Sequence, residues 1–273
     1  MKKRNVNEYV SVLLAIFINI SFSVFIQPFL TQVVLADAGT VRIELLLVFC
    51  QITINVCVPY IILKLSGKKA VDPVFERILE MKDILTGFFI AIFLFAIIRT
   101  MSDGYKWINI GITRDLSIYK SVEGLNLRQI FSLCIFQGLI PGICEEYFFR
   151  HFIANILAGK SKKMVLTVML CSFTLCHINS GIETVIMTLI LGFSLSLLFL
   201  KYNNYLLVVC VHVFFDSISL FFTYGFFWIT DCVYINTRGY SPEICIVWGM
   251  VYLSAVFFAL GLGILLWRFI KKR

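Results

Sequence analysis

Glu145, Glu146 and Arg150 fall within Gln137–His151, a stretch otherwise apolar enough to lie in a membrane. An ionised side chain at the centre of a spanning helix costs about 2.5–3.5 kcal/mol on insertion scales. Such groups persist where they pair, face a wet cavity or do work. Two further apolar stretches carry one histidine each, His177 and His212, the latter followed four residues on by Asp216. A carboxylate and an imidazole beside one water make a competent hydrolytic centre. Glu145 is the candidate general base, and His177 would position or polarise the water. A second imidazole could stabilise the oxyanion formed at an attacked amide carbonyl. Cys144 and Ser217 adjoin these residues, but neighbours on a helix point to different faces, and neither lies in a nucleophile motif.

Helical spacing assigns faces. Glu146 and Arg150 are an i, i+4 pair, so Arg150 is expected to neutralise and orient Glu146. Glu145 points about 100° away from Glu146 and is left to face the cavity. His212 and Asp216 are also i, i+4, and Asp216 could hold one ring nitrogen and set the tautomer. Phe173 stands one turn before His177 and could wall its ring. Pro141-Gly142 is expected to kink the helix upstream of the acids. His151 is expected to be interfacial.

Depth supports a single site. Glu145 lies 15 residues before Lys160, or about 22 Å along a helix. His177 lies 14 residues after Lys163, or about 21 Å. His212 and Asp216 follow Lys201 by 11 and 15 residues, or about 16 and 22 Å. Three helices thus carry their ionisable groups to a similar level.

The elements that would position these groups are transmembrane helices. The chain of 273 residues is 60% hydrophobic and 15% charged, against about 45–50% and about 25% in soluble domains. Long apolar runs without alternation argue for helices over a barrel. The expectation is an all-α polytopic bundle forming a single integral membrane domain over 1–273. Eight spans are placed at roughly 8–34, 42–64, 84–99, 128–157, 164–179, 183–200, 204–225 and 244–268. The first is read as an uncleaved span rather than a signal peptide. Loops 65–83 and 100–127 are polar, with turns at Asp103-Gly104 and Glu123-Gly124.

With the N-terminus inside, 16 Lys and Arg fall on the inner side and seven on the outer. That bias sets both termini in the cytoplasm. The net charge of +8 is explained by these clusters; no basic groove with interleaved aromatics points to nucleic acid. Nine cysteines show no metal-ligand spacing. Cys232 and Cys245 flank the last loop and could pair if that loop is extracytoplasmic.

The ordered set Glu145-Glu146-x-x-x-Arg150, Phe173-x-x-x-His177 and His212-x-x-x-Asp216 resembles the three motifs of the CPBP family, the CAAX protease and bacteriocin-processing (Abi) intramembrane proteases. The resemblance covers about 128–220. It implies an eight-span helical fold and an endopeptidase cutting in or beside the membrane. By that likeness, Glu145 and His177 activate water while His212 and Asp216 bind the oxyanion, with Glu146, Arg150 and Phe173 in support. Members with Asn at the last motif position differ from this chain. An ionised Asp216 cannot donate to an oxyanion and would suit orienting His212 or ligating a metal with both histidines.

A divalent ion such as zinc, with Glu145, His177 and His212 as candidate ligands, ranks second because no HExxH occurs. The implied partner is a membrane-associated protein or small hydrophobic peptide at a bacterial plasma membrane. Its processing would serve CAAX-type trimming, leader or pheromone maturation, or bacteriocin self-immunity. Two other classes stay open: a proton-coupled transporter using the acids and histidines as a relay, and a non-catalytic immunity protein.

Overall fold

A computed structural model describes residues 2–26, 41–66, 79–113, 131–222, 246–247 and 249–256. Those residues form helices and short connections, with no strand among them. Helix α1 is Lys2–Ser21, extended by a π-helical turn at Phe22–Ile26. Helix α2 joins Val41–Ile52, a π turn at Thr53–Cys57 and Val58–Leu65. Helix α3 is Met81–Thr113. Helix α4 alternates Cys134–Leu139 (π), Ile140–Glu146 (α), Tyr147–Phe152 (π) and Ile153–Ile156 (α). Helices α5 (Lys162–Leu175), α6 (Ile182–Tyr202) and α7 (Tyr205–Phe221) follow.

Among the described residues, four helical stretches are long and apolar enough to cross a membrane: Tyr9–Ile26, Leu45–Leu65, Met81–Thr113 and Ile182–Tyr202. Phe17, Phe49 and Phe89 point outward from these helices, as side chains facing lipid rather than water do. The protein is an all-α membrane helix bundle.

The two prolines inside helices share one solution. Pro59 and Pro141 each sit at the start of an α segment, directly after a π turn. Proline lacks an amide donor and its ring crowds the carbonyl four residues back. The wider π turn accommodates that crowding.

The third helix corrects the sequence reading. In place of a short span over 84–99 and a turn at Asp103-Gly104, α3 runs unbroken to Thr113. Arg99 Nε contacts Asp103 Oδ2 at 2.9 Å one turn on, so each charge finds its partner within the helix. At Gly104 a Cβ would lie 3.1 Å from the Gly249 carbonyl and from Leu253, a close approach that suits glycine inside a helix. Glu123-Gly124, Cys232, Cys245 and the remainder of the last span lie outside the described residues.

Contacts divide the chain into two units. One comprises Met1–Ile92 with Phe131–Ile218, the other Phe93–Ile130 with Ser219–Arg273. All the site residues proposed from sequence belong to the first. There α1 packs on α2 and α5, α2 on α4, and α5 on α4 and α6. Phe148, Phe149, Phe152, Ile153 and Leu195 are buried in that unit.

Candidate active site

Two glycines bring α4 against α7. A Cβ on Gly138 would lie 3.1 Å from Ser217 Oγ, and one on Gly142 would lie 3.0 Å from Val213 Cγ2. Small residues four apart let membrane helices approach closely. Glu146 continues the same stripe one turn after Gly142, and its Oε1 meets His212 Nδ1 at 2.7 Å.

Glu146 and Arg150 are 0% exposed. Arg150 Nη1 donates to Glu146 Oε1 at 2.8 Å, and Nη2 donates to the Gly192 carbonyl at 3.3 Å. Its guanidinium carbon stands 4.8 Å from the Phe173 ring centroid and 5.8 Å from that of Phe149. A desolvated cation–π contact contributes about 2 kcal/mol. The guanidinium is therefore met by an acid, a carbonyl and two ring faces.

His212 ties the first and third motifs together. A carboxylate only accepts hydrogen bonds, so the proton between His212 and Glu146 is assigned to Nδ1. The opposite nitrogen, Nε2, is 3.4 Å from Asp216 Oδ2. The sequence reading had paired Glu146 with Arg150 and His212 with Asp216. It missed the bond between Glu146 and His212. Their similar depth was the available signal, but helical spacing cannot say which side chains meet across two helices.

His177 lies elsewhere in its segment than expected. Helix α5 ends at Leu175, short of the predicted 179, with Cys176 as its C-cap. His177 (φ −106°, ψ 9°) opens a 3-10 turn at Ile178–Ser180. Its Nδ1 is 2.9 Å from the Phe173 carbonyl oxygen. A carbonyl cannot donate, so Nδ1 carries the hydrogen and Nε2 of the neutral ring keeps its lone pair.

Phe173 is the hub. Its ring centroid is 5.0 Å from that of His177 and 5.9 Å from that of His212, and it underlies Arg150. Gly192 makes room for it, since a Cβ there would fall 2.6 Å from Phe173 Cδ1. The three motifs thus meet around one aromatic ring. Glu145 is partly exposed, unlike fully buried Glu146. His151 is buried, with its ring 4.9 Å from that of Tyr147 and 6.2 Å from that of Tyr205.

Residues 127–218 match the family described as Type II CAAX prenyl endopeptidase Rce1-like. This segment is an Rce1-like domain of the CPBP family. The Rce1-like segment takes in α4 to α7 and with them Glu145, Glu146, Arg150, Phe173, His177, His212 and Asp216. The match supports an intramembrane protease in general. Helices α1 to α3 lie outside it. No curated protein and no solved structure matches the chain.

A divalent ion ranks second in the sequence, with Glu145, His177 and His212 as candidate ligands. Among the described residues no three His, Cys, Asp or Glu side chains group as ligands. His177 and His212 each have Nδ1 committed to a protein oxygen.

Proposed function

We propose that this protein is an intramembrane endopeptidase that hydrolyses a peptide bond in a membrane-associated protein or a small hydrophobic peptide. Substrates of the CAAX, leader or pheromone type fit a site set among apolar helices. The observation that carries this reading is the meeting of the three motifs around Phe173.

The tautomers supply the division of labour. His177 offers an Nε2 lone pair that accepts a hydrogen bond from water. Glu145 removes the other proton as the water oxygen attacks the amide carbon. The carbonyl electrons move onto oxygen. His212, held through Nδ1 by Glu146, turns Nε2 toward Asp216; when that nitrogen is protonated it donates to the oxyanion. Collapse of the tetrahedral species breaks the C–N bond, and the proton on Glu145 passes to the leaving amine. Asp216 orients His212 and balances its charge, a role an acceptor can fill. Arg150 pairs with Glu146 and holds it in place.

The test uses the purified full chain in lipid nanodiscs with a farnesylated CAAX-type peptide, and membrane peptidomics of cells for other substrates. Wild type cleaves, and Glu145→Gln is folded and inserted but slower by about 10²–10⁴-fold, the usual contribution of a general base. Substantial residual turnover in Glu145→Gln would remove the base assignment. Wild-type protection of cells by both Glu145→Gln and His177→Ala, without cleavage by either, would favour a non-catalytic immunity protein.

A further inference from the structure

Helices α1 and α2 carry none of the three motifs, yet they bury three amide side chains: Asn19, Gln51 and Asn55. These amides are joined in sequence. Asn55 Nδ2 donates to Gln51 Oε1, and Asn19 Nδ2 donates to Asn55 Oδ1. The chain of bonds leaves α1 through Cys176, whose thiol donates to Asn19 Oδ1 at 2.9 Å. Cys176 immediately precedes His177. On the far side of His177, Asn179 Nδ2 donates at 2.6 Å to the carbonyl of Val24. Val24 lies in the π turn Phe22–Ile26 that extends α1. The two residues flanking this turn of chain are therefore both bonded to α1.

The arrangement answers a specific need. His177 stands beyond the α-helical turns of α5, where its N–H reaches the Thr174 carbonyl at 3.0 Å and its carbonyl accepts from Ser180. The segment soon reaches Gly181 at φ 90°, a conformation that glycine adopts freely. From α5 the ring meets only the carbonyl and the ring of Phe173, one turn back on its own chain. A catalytic group must be held to about 0.5 Å, and a displacement of about 1 Å can cost about 10²-fold in rate. An amide inside a bilayer is costly unless bonded. Every bond in this chain runs in one direction, from thiol to Asn19 to Asn55 to Gln51, a pattern in which each bond polarises the next.

We propose that Gln51, Asn55, Asn19 and Cys176, with Asn179 bonded to Val24, form a positioning network that fixes His177 for water activation, a proposal that rests on the hydrolytic role given to His177 above. These are positioning residues, since none touches the reacting atoms. Through them the helices outside the Rce1-like segment take part in catalysis.

The experiment follows the full chain in nanodiscs with the farnesylated CAAX-type peptide. Asn19→Ala, Asn55→Ala and Cys176→Ala each lower kcat at least tenfold while KM stays within twofold. The double variant Asn19→Ala/Cys176→Ala loses no more than its worse parent, and Cys176→Ser, which retains a donor, recovers most of the rate. Additive losses, or a kcat within twofold of wild type in all three single variants, would overturn the network. Cys176→Ala leaves the three amides bonded to one another, so it reports even where an amide variant fails to accumulate.

A second readout separates this proposal from the hydrolytic one. In the chain labelled with 15N-histidine, Asn19→Ala and Cys176→Ala shift the imidazole signal of His177, assigned by its loss in His177→Gln. The signals of His151 and His212 stay in place. An unmoved His177 signal sinks the network whatever the enzyme cleaves. A shifted signal in a chain whose wild type does not cleave the peptide upholds the tether and counts against the hydrolytic reading.

Discussion

Arg150 is wholly buried. It is held by one carboxylate oxygen, one carbonyl and two aromatic faces, and it in turn fixes Glu146 beside His212. Removing one partner of a buried ion pair leaves the other stranded, at a cost of about 3–5 kcal/mol. Arg150→Ala should therefore lower abundance and thermal stability in detergent as well as activity. The double variant Glu146→Ala/Arg150→Ala should be more stable than Arg150→Ala alone, because no charge is left unpaired; thermal unfolding of the three proteins checks this. Metal removal is the second test at this scale. Glu145, His177 and His212 do not group as ligands, so treatment with a strong chelator should leave hydrolysis of the farnesylated peptide within twofold. A loss restored by added zinc would show that these side chains regroup around an ion.

The π turns and glycines of α4 act at the level of the helix. One π turn precedes Pro141, and another, Tyr147–Phe152, carries Arg150 within six consecutive buried residues. Gly138 and Gly142 set the distance to α7, and that distance makes the bond between Glu146 and His212 possible. At Gly142 even a methyl would meet Val213 Cγ2 at 3.0 Å. Gly142→Leu should thus separate the helices and destabilise the protein by about 1–3 kcal/mol, the usual cost of overpacking. Activity should fall by at least tenfold as Glu146 loses His212. Adding Val213→Ala should restore part of both. Measuring turnover and melting temperature in the single and double variants decides the matter, and full activity in Gly142→Leu would deny the stripe its role.

For the molecule as a whole, α1 and α2 frame a site whose motifs all reside in α4 to α7. The lysines predict an orientation in the bilayer. Lys160, Lys162 and Lys163 lie at the junction of α4 and α5, and Lys201 at the end of α6. A positive bias of this kind marks cytoplasmic segments. Lys162 is exposed, so Lys162→Cys should react with a membrane-impermeant maleimide in inside-out vesicles and stay unlabelled in right-side-out ones, relative to the parent chain. The reverse pattern would invert the topology.

The sequence alone determined that the chain is a helical membrane bundle, because apolar runs of spanning length leave the backbone no other way to satisfy its hydrogen bonds. It also singled out candidate side chains, since ions and imidazoles in such runs are costly, and the i, i+4 pair of Glu146 with Arg150 follows from helical pitch. The extent of α3 was hidden because Arg99 and Asp103 read as loop residues until their mutual pairing is seen. The bond from Glu146 to His212, the hub at Phe173 and the path from Gln51 to Cys176 were decided only by tertiary structure. Each joins residues on different helices, and the rotation and offset of one helix against another are set by packing at points such as Gly142 and Val213, which no periodicity within a single helix contains.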